Sequence, residues 1–186
     1  AVPDDEEIAR HLAAASTTPE AHVADALHAA ARRAASRGAL DASAELDLLA
    51  SRLTPDDQAE ERARRAVTAA ISLHAAGDRP KAEELLSSRI DGFPPGASRA
   101  KAFTALAIIA WNELHRAAEL LDHAEREAGD EPWIRSRVLA PAAWVEAYGG
   151  SLARAAQLSD EAIDIGRRGD DPGLRGALAA RSWVAL

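Results

Sequence analysis

Apolar side chains recur every three or four residues along most of the chain, and short polar stretches interrupt them. This spacing puts the apolar positions on one side of an α-helix, so it predicts a succession of amphipathic helices. Val23, Leu27 and Ala30 form one such stripe. The same spacing continues through Val67, Ala70, Ile71 and His74 of the fourth helix, which is predicted to run to Gly77.

Four short turn signals separate these helices at nearly even intervals. Alignment on Gly38, Gly77, Asn112 and Gly150 gives spacings of 39, 35 and 38 residues. A small residue stands seven positions before and five positions after every anchor. Gly, and less often Asn, adopts the left-handed backbone conformation that ends a helix, and small flanking residues let two helices approach closely. Each anchor therefore predicts a helix, a tight turn and an antiparallel helix.

The repeat length defines the fold class. A period of 35 to 39 residues fits two helices per unit and is close to the roughly 34 of tetratricopeptide repeats. The phrases Gly129-Asp130-Glu131-Pro132 and Gly169-Asp170-Asp171-Pro172 open two units 40 residues apart. We predict one all-α domain over 1–186, a right-handed superhelical solenoid of about ten helices. Its hairpins cover approximately 19–53, 55–91, 97–128 and 131–168, with an incomplete final unit from 171.

Composition and charge narrow the function classes. The 22 basic and 30 acidic residues give a net charge of −8, which argues against direct nucleic-acid binding by this segment. The sequence has no cysteine, so it forms no disulfide and no thiolate metal site. An acidic start and the lack of any run of roughly 18 apolar residues predict a cytoplasmic protein without membrane contact. The absence of Met and an apolar final stretch predict a fragment of a longer polypeptide.

Catalytic, nucleotide-binding and metal-binding motifs are either absent from the sequence or have a simpler structural explanation. The sequence holds neither a phosphate-binding loop nor a Gly-x-Gly-x-x-Gly motif. Ser98 and Lys101 match a short Ser-x-x-Lys pattern, but a capping serine and a solvated lysine explain them better. No two of the six histidines are four residues apart, as half of a helical metal site requires. We therefore predict no catalytic, cofactor-binding or metal-binding residue in this segment, and we favour an enzyme least.

Aromatic residues are concentrated in the C-terminal half. Aromatic residues at helical spacing are more often core than binding residues. Trp111, Trp144 and Tyr148, however, are near the ends of first helices, where they could line a groove for a ligand or partner. Trp183, with Val184 and Leu186, is predicted to face a further repeat, which would allow a homodimer of the isolated segment.

Several stretches resemble one protein family. The runs from Ala9 to Ala15, from Ala29 to Ala34 and from Arg37 to Ala39 are similar to part of large actinobacterial LuxR-family transcriptional regulators. The later runs AAGDRPKAEELL and YGGSLARAAQLSDEAI resemble the tetratricopeptide-like region of the same proteins. The likeness covers nearly the whole chain. One departure is that Ala or Leu occupies most of the aromatic positions of ordinary tetratricopeptide repeats.

The resemblance implies a multidomain switch. It implies an upstream module that binds ATP, a repeat region that senses an effector or a partner, and a downstream helix-turn-helix that binds DNA. This segment would be the repeat region, without a cofactor of its own, acting on the other domains of the same chain. The alternative is a stand-alone scaffold whose first helices hold a peptide or a partner helix.

Overall fold

The structure is a computed structural model that describes residues 5–168 and 173–185. These ranges contain ten α-helices and the 3₁₀ helix Ile90–Gly92, and they contain no strand. This confirms the all-helical class with about ten helices. The predicted junction at 169–172, the start of a final unit at 171, and Leu186 lie outside the described residues. The α-helices are α1 (Asp5–Ala15), α2 (Ala21–Ser36), α3 (Leu40–Arg52), α4 (Ala59–Ala75), α5 (Arg79–Ser87), α6 (Ala97–Ile109), α7 (Leu114–Ala128), α8 (Pro132–Tyr148), α9 (Leu152–Arg168) and α10 (Gly173–Val184).

The chain divides into two compact units. Unit 1 is Ala1–Pro94 and unit 2 is Pro95–Leu186. In each unit every helix packs on the next helix along the chain, and in unit 2 α8 also contacts α6 and α10. The helices α6, α8 and α10 are the first helices of successive hairpins, so unit 2 places first helices side by side. The prediction that 1–186 form one continuous repeat domain stays a prediction.

Small residues build the interior of both units. In unit 1, alanines of α2 and α3 surround Leu27 and Leu46, and all of these side chains are buried. In unit 2, Leu139 of α8 packs among alanines of α8, α9 and α10. Because an alanine side chain is short, helix backbones can approach closely while each helix keeps a strong intrinsic preference for its conformation. None of the described helices is both long enough and apolar enough to cross a membrane.

Three of the four predicted turns have the expected glycine conformation. Gly38, Gly77 and Gly150 have φ values of 78°, 90° and 89°. In each turn the residue after the glycine donates its N–H to a carbonyl five positions earlier, and the glycine donates to the carbonyl three positions earlier. This pattern is the Schellman motif, which satisfies two carbonyls at a helix end. The glycines therefore end α2, α4 and α8.

The prediction of a left-handed Asn112 is wrong. Asn112 lies in the turn between α6 and α7, but no non-glycine residue in the described ranges has a positive φ. The helix ends earlier, at Ile109, and Glu113 donates its N–H to Ala110 O over 2.8 Å. A side chain at positive φ costs roughly 1 to 2 kcal/mol, and this ordinary turn avoids that cost. Asn112 remains a turn residue without the glycine-like role.

The buried side of α4 does not follow its largest apolar residues. Ile71 is 47% exposed, whereas Ala66, Ala69 and Leu73 are buried. Arg65, a charged residue, is only 3% exposed. Helix α4 packs on α3 and α5, and four of its six buried residues are alanines. Because this helix is rich in alanine, the close approach of neighbouring helices determines its buried side more strongly than the hydrophobicity of its side chains does.

Candidate functional site

Four aromatic rings of unit 2 form one cluster, here called the aromatic cluster: Trp111, Trp144, Tyr148 and Trp183. The ring of Tyr148 lies 5.7 Å from Trp111 in an edge-on arrangement, and it stacks on Trp144 at 6.0 Å. Trp183 stacks on Tyr148 at 5.3 Å and lies 5.9 Å from Trp144. These centroid distances are typical of favourable aromatic pairs. The structure thus brings the three predicted groove residues together and adds Trp183 to them.

The aromatic cluster forms where three helices end. Trp111 follows the C-terminus of α6, Trp144 and Tyr148 occupy the last two turns of α8, and Trp183 lies in the last turn of α10. Spacing of four residues puts Trp144 and Tyr148 on the same side of α8. Tyr148 is 53% exposed and Trp183 is 41% exposed, while Trp111 and Trp144 are partly buried. The cluster is therefore a surface feature rather than core.

Two further aromatic contacts of unit 2 do not involve the aromatic cluster. Phe103 stacks on His123 with ring centroids 5.1 Å apart. Lys101 places its Nζ 4.7 Å from the ring centre of Trp133, within the range of a cation–π interaction. Trp133 is 44% exposed, so it resembles Trp183 in type and exposure. Trp133 therefore offers a matched control for the cluster residues.

A small groove lies between α7, α8 and α9 of unit 2. Leu121, Val138 and Val145 line its apolar part, and Glu125 and Arg154 line its polar part. Its volume is about 50 Å³. Sites for drug-sized ligands usually measure roughly 300 to 1,000 Å³. This groove can hold water or a single small group, so it is not the ligand groove that the sequence suggested.

Unit 1 contains a different kind of feature, a polar network that connects three helices. The carboxylate of Asp47 in α3 is buried; it accepts hydrogen bonds from His28 Nδ1 in α2 at 2.9 Å and from Ser72 Oγ in α4 at 2.8 Å. Asp47 stands between the other two side chains, so the histidine does not contact the serine hydroxyl. A Ser-His-Asp catalytic arrangement requires that contact. The network therefore holds helices together and supplies no nucleophile.

Arg65 is the centre of a second network in unit 1. Its guanidinium donates to Asp25 Oδ1 at 2.5 Å, to Glu61 Oε1 at 2.7 Å and to Thr54 Oγ1 at 3.1 Å. The hydrogen bond from Arg64 lowers the pKa of Glu61; burial opposes this effect, and the charges of Arg64 and Arg65 add to it. Glu61 accepts hydrogen bonds from both Arg64 and Arg65. This network fixes α4 against its neighbours.

A larger cavity of unit 1, here called the arginine cavity, lies among α3, α4 and the segment that follows α5. Its volume is about 430 Å³, and Arg52, Arg62 and Arg89 contribute to its walls together with Ser51 and Ser88. Burial lowers the pKa of Arg89, and the positive charges of Arg52 and Arg62 lower it further. The sequence did not predict this cavity. Its arginines are up to 37 residues apart, and only tertiary packing brings them together.

The predicted residues thus divide into two groups. Trp111, Trp144 and Tyr148 come together in the aromatic cluster, whereas Gly38, Gly77, Asn112 and Gly150 occupy separate turns. In residues 5–168 and 173–185 no three His, Asp or Glu side chains are placed to hold a metal ion. The chain matches no protein-family model and no curated protein, so its function is inferred from its sequence and geometry.

Proposed function

We propose that this chain is a regulatory helical-repeat module that binds a protein partner through the aromatic cluster. The observation that carries the proposal is the exposure of Tyr148 and Trp183 beside two further aromatic rings. Tryptophan and tyrosine are enriched in protein interfaces and dominate their binding energy. Exposed apolar patches of this kind usually mark interaction sites.

The geometry favours a protein partner over a small effector. The rings of the aromatic cluster lie against one another, with centroids 5.3 to 6.0 Å apart, so no ligand fits between them. They offer a continuous surface instead of an enclosed cavity. Small ligands usually bind in concave sites that bury most of their surface, whereas protein interfaces accept flatter surfaces. The proposed partner therefore covers Tyr148 and Trp183 with apolar side chains of its own.

The resemblance to LuxR-like regulators suggests which protein this partner is. In such a regulator the repeat region would contact the ATP-binding module or the DNA-binding segment of the same polypeptide in the cytoplasm. Breaking or forming that contact would bias the whole protein between two arrangements, which is how a sensor region can control distant modules. In that arrangement the upstream module binds ATP and the downstream segment binds DNA. The net charge of −8 supports the absence of direct DNA binding by the repeat region itself.

The surrounding gene provides the first test. A regulator of this type requires a phosphate-binding loop encoded upstream of this segment and a helix-turn-helix encoded downstream. If both are present, the regulator proposal stands and the two modules become the partners to test. If neither is present, the regulator proposal fails, and the stand-alone scaffold becomes the better description.

Binding to these modules provides the second test. Each module would be produced separately and titrated into the chain while tryptophan fluorescence is recorded. We expect saturable binding by one module and a loss of about 10-fold or more in affinity when Tyr148→Ala and Trp183→Ala are combined. Trp133→Ala removes an equally exposed tryptophan outside the aromatic cluster and should leave the affinity unchanged. Equal weakening by both variants would contradict the assignment of the contact to the aromatic cluster.

A further inference from the structure

The arginine cavity of unit 1 has features that structural roles do not explain. It collects three guanidinium groups, those of Arg52, Arg62 and Arg89, in a chain whose net charge is −8. Arg62 forms an ion pair with Asp56, a strongly exposed residue. Among the described residues no carboxylate forms an ion pair with Arg52 or Arg89. Two of the three positive charges therefore remain uncompensated beside one another.

A basic residue near a helix C-terminus is often explained by the helix dipole and by bonds to the final carbonyl groups. Arg52 is the last residue of α3, and Arg89 follows α5. In the described part of the chain, however, neither side chain donates to a helix-end carbonyl. Arg89 Nη1 instead lies 3.3 Å from the buried Ser51 Oγ, and this bond holds the guanidinium at the wall of the cavity. Helix capping thus does not account for the arrangement.

The electrostatics of Arg89 favour a bound anion in the cavity. Burial lowers the pKa of Arg89, and the positive charges of Arg52 and Arg62 lower it further. Removing a guanidinium from water and placing it near like charges is unfavourable, and the attraction of a bound anion would offset both costs. Arginine binds phosphate oxygens through two parallel hydrogen bonds. Ser51 and Ser88 also line the wall, but Ser88 Oγ already donates to Glu84 O at 2.7 Å and Ser51 is fully buried, so the guanidinium groups supply the donors.

From this convergence we infer that the arginine cavity is a binding site for a small molecule that carries a phosphate or diphosphate group. The guanidinium groups of Arg52 and Arg89 hold the phosphate oxygens, and Arg62 exchanges its bond with Asp56 for a bond to the ligand. A volume of about 430 Å³ exceeds that of a phosphate and leaves room for an attached sugar or base. Phe93, which also lines the cavity, supplies an apolar wall for that part. This site is independent of the aromatic cluster and of the function proposed for it.

Calorimetric titration of the whole chain tests the site with three probes: inorganic pyrophosphate, AMP and citrate. We expect saturable binding of pyrophosphate and AMP at low salt, and clearly weaker binding of citrate, which carries carboxylates in place of phosphate. Arg52→Ala and Arg89→Gln should each weaken pyrophosphate binding by about 10-fold or more. The control is Arg64→Ala, which removes one positive charge of unit 1 that does not line the cavity. It should change the pyrophosphate affinity by less than about 2-fold.

Any one of three results would overturn the inference. No saturable pyrophosphate binding up to about 10 mM would exclude the site. If Arg64→Ala weakened pyrophosphate binding as much as the cavity variants do, the binding would be general charge attraction and not a site. If citrate bound as tightly as AMP, the cavity would not recognise phosphate. Thermal unfolding of every variant establishes that it is folded. Arg52 is exposed, so its substitution keeps the test decisive even if Arg89→Gln unfolds the chain.

Discussion

Units 1 and 2 share the same helix-and-turn construction, yet they use different chemistry inside and on the surface. Unit 1 buries the charged side chains of Asp47 and Arg65, and its sole aromatic residue is Phe93. Among the described residues of unit 2 the buried polar side chains are the serines Ser136 and Ser159, and its aromatic rings gather at the surface. A helical-hairpin backbone therefore does not dictate what a unit binds. The residues at its ends and between its helices do.

The comparison also shows how the two interiors are specified. In unit 2 the fit of small and large apolar side chains decides the packing. In unit 1 the hydrogen bonds of Asp47 and Arg65 require particular partners on α2, α3 and α4. Buried ion pairs contribute little net stability compared with apolar packing, but they are costly to break one side at a time. The interior of unit 1 should therefore tolerate fewer single substitutions than that of unit 2.

The largest expected effect is that of Arg65→Ala. This change leaves Glu61 without one guanidinium and opens a gap beside Thr54, so we expect a loss of about 3 to 5 kcal/mol in the free energy of unfolding. The control is Arg64→Ala, in which the neighbouring, half-exposed arginine is removed, with an expected loss below about 1 kcal/mol. Urea denaturation measures both. Similar losses in the two variants would show that burial of Arg65 does not distinguish the interior of unit 1.

An intermediate effect is expected at the turns. Gly77→Ala places a side chain at a φ of 90°, where a new Cβ meets no atom within 4 Å, so the expected cost of roughly 1 to 2 kcal/mol comes from the backbone alone. Asn112→Ala changes a turn residue of unit 2 that does not have a positive φ, and it should alter stability by less than about 0.5 kcal/mol. Thermal unfolding of the two variants measures the difference. If Asn112→Ala lost as much stability as Gly77→Ala, Asn112 would have the glycine-like role that its φ in the structure contradicts.

The smallest expected effect is on how stability changes at acidic pH. The pKa of Glu61 in the folded chain is below its ordinary value of 4.5, so the ionised carboxylate stabilises unit 1 above that pH. This stabilisation is lost as the pH falls from about 4.5 through the lowered pKa, because the carboxyl group must then be protonated. Glu61→Gln should be less stable than the unchanged chain near pH 7 and should approach its stability near pH 3. Urea midpoints across this range measure the effect, and a constant difference between the two proteins would contradict it.

Local features of this fold can be read from the sequence, and long-range features cannot. Apolar periodicity, glycines and prolines predict where helices begin and end: α6 begins at Ala97 and α7 ends at Ala128, which are the predicted bounds of that hairpin. The buried side of α4 could not be predicted, because Ile71 is exposed while Arg65 is buried with partners on other segments.

The same limit applies to the two candidate sites. Trp111, Trp144 and Tyr148 could be grouped from the sequence because each lies near the end of a first helix. Arg52, Arg62 and Arg89 belong to three different segments, and no motif marks them. Their convergence is a result of tertiary packing alone.

The central claim is that the two units carry separate sites of different chemistry, and one NMR experiment tests it most directly. Amide and indole signals of the whole chain would be followed while pyrophosphate, and then the partner module, is added. We predict that pyrophosphate shifts the signals of Ser51, Arg52 and 88–93 and leaves the indoles of Trp111, Trp144 and Trp183 unchanged. The partner module should move those indoles and leave the residues of the arginine cavity in place. Shifts at the same residues with both probes, or shifts at neither region, would contradict the claim.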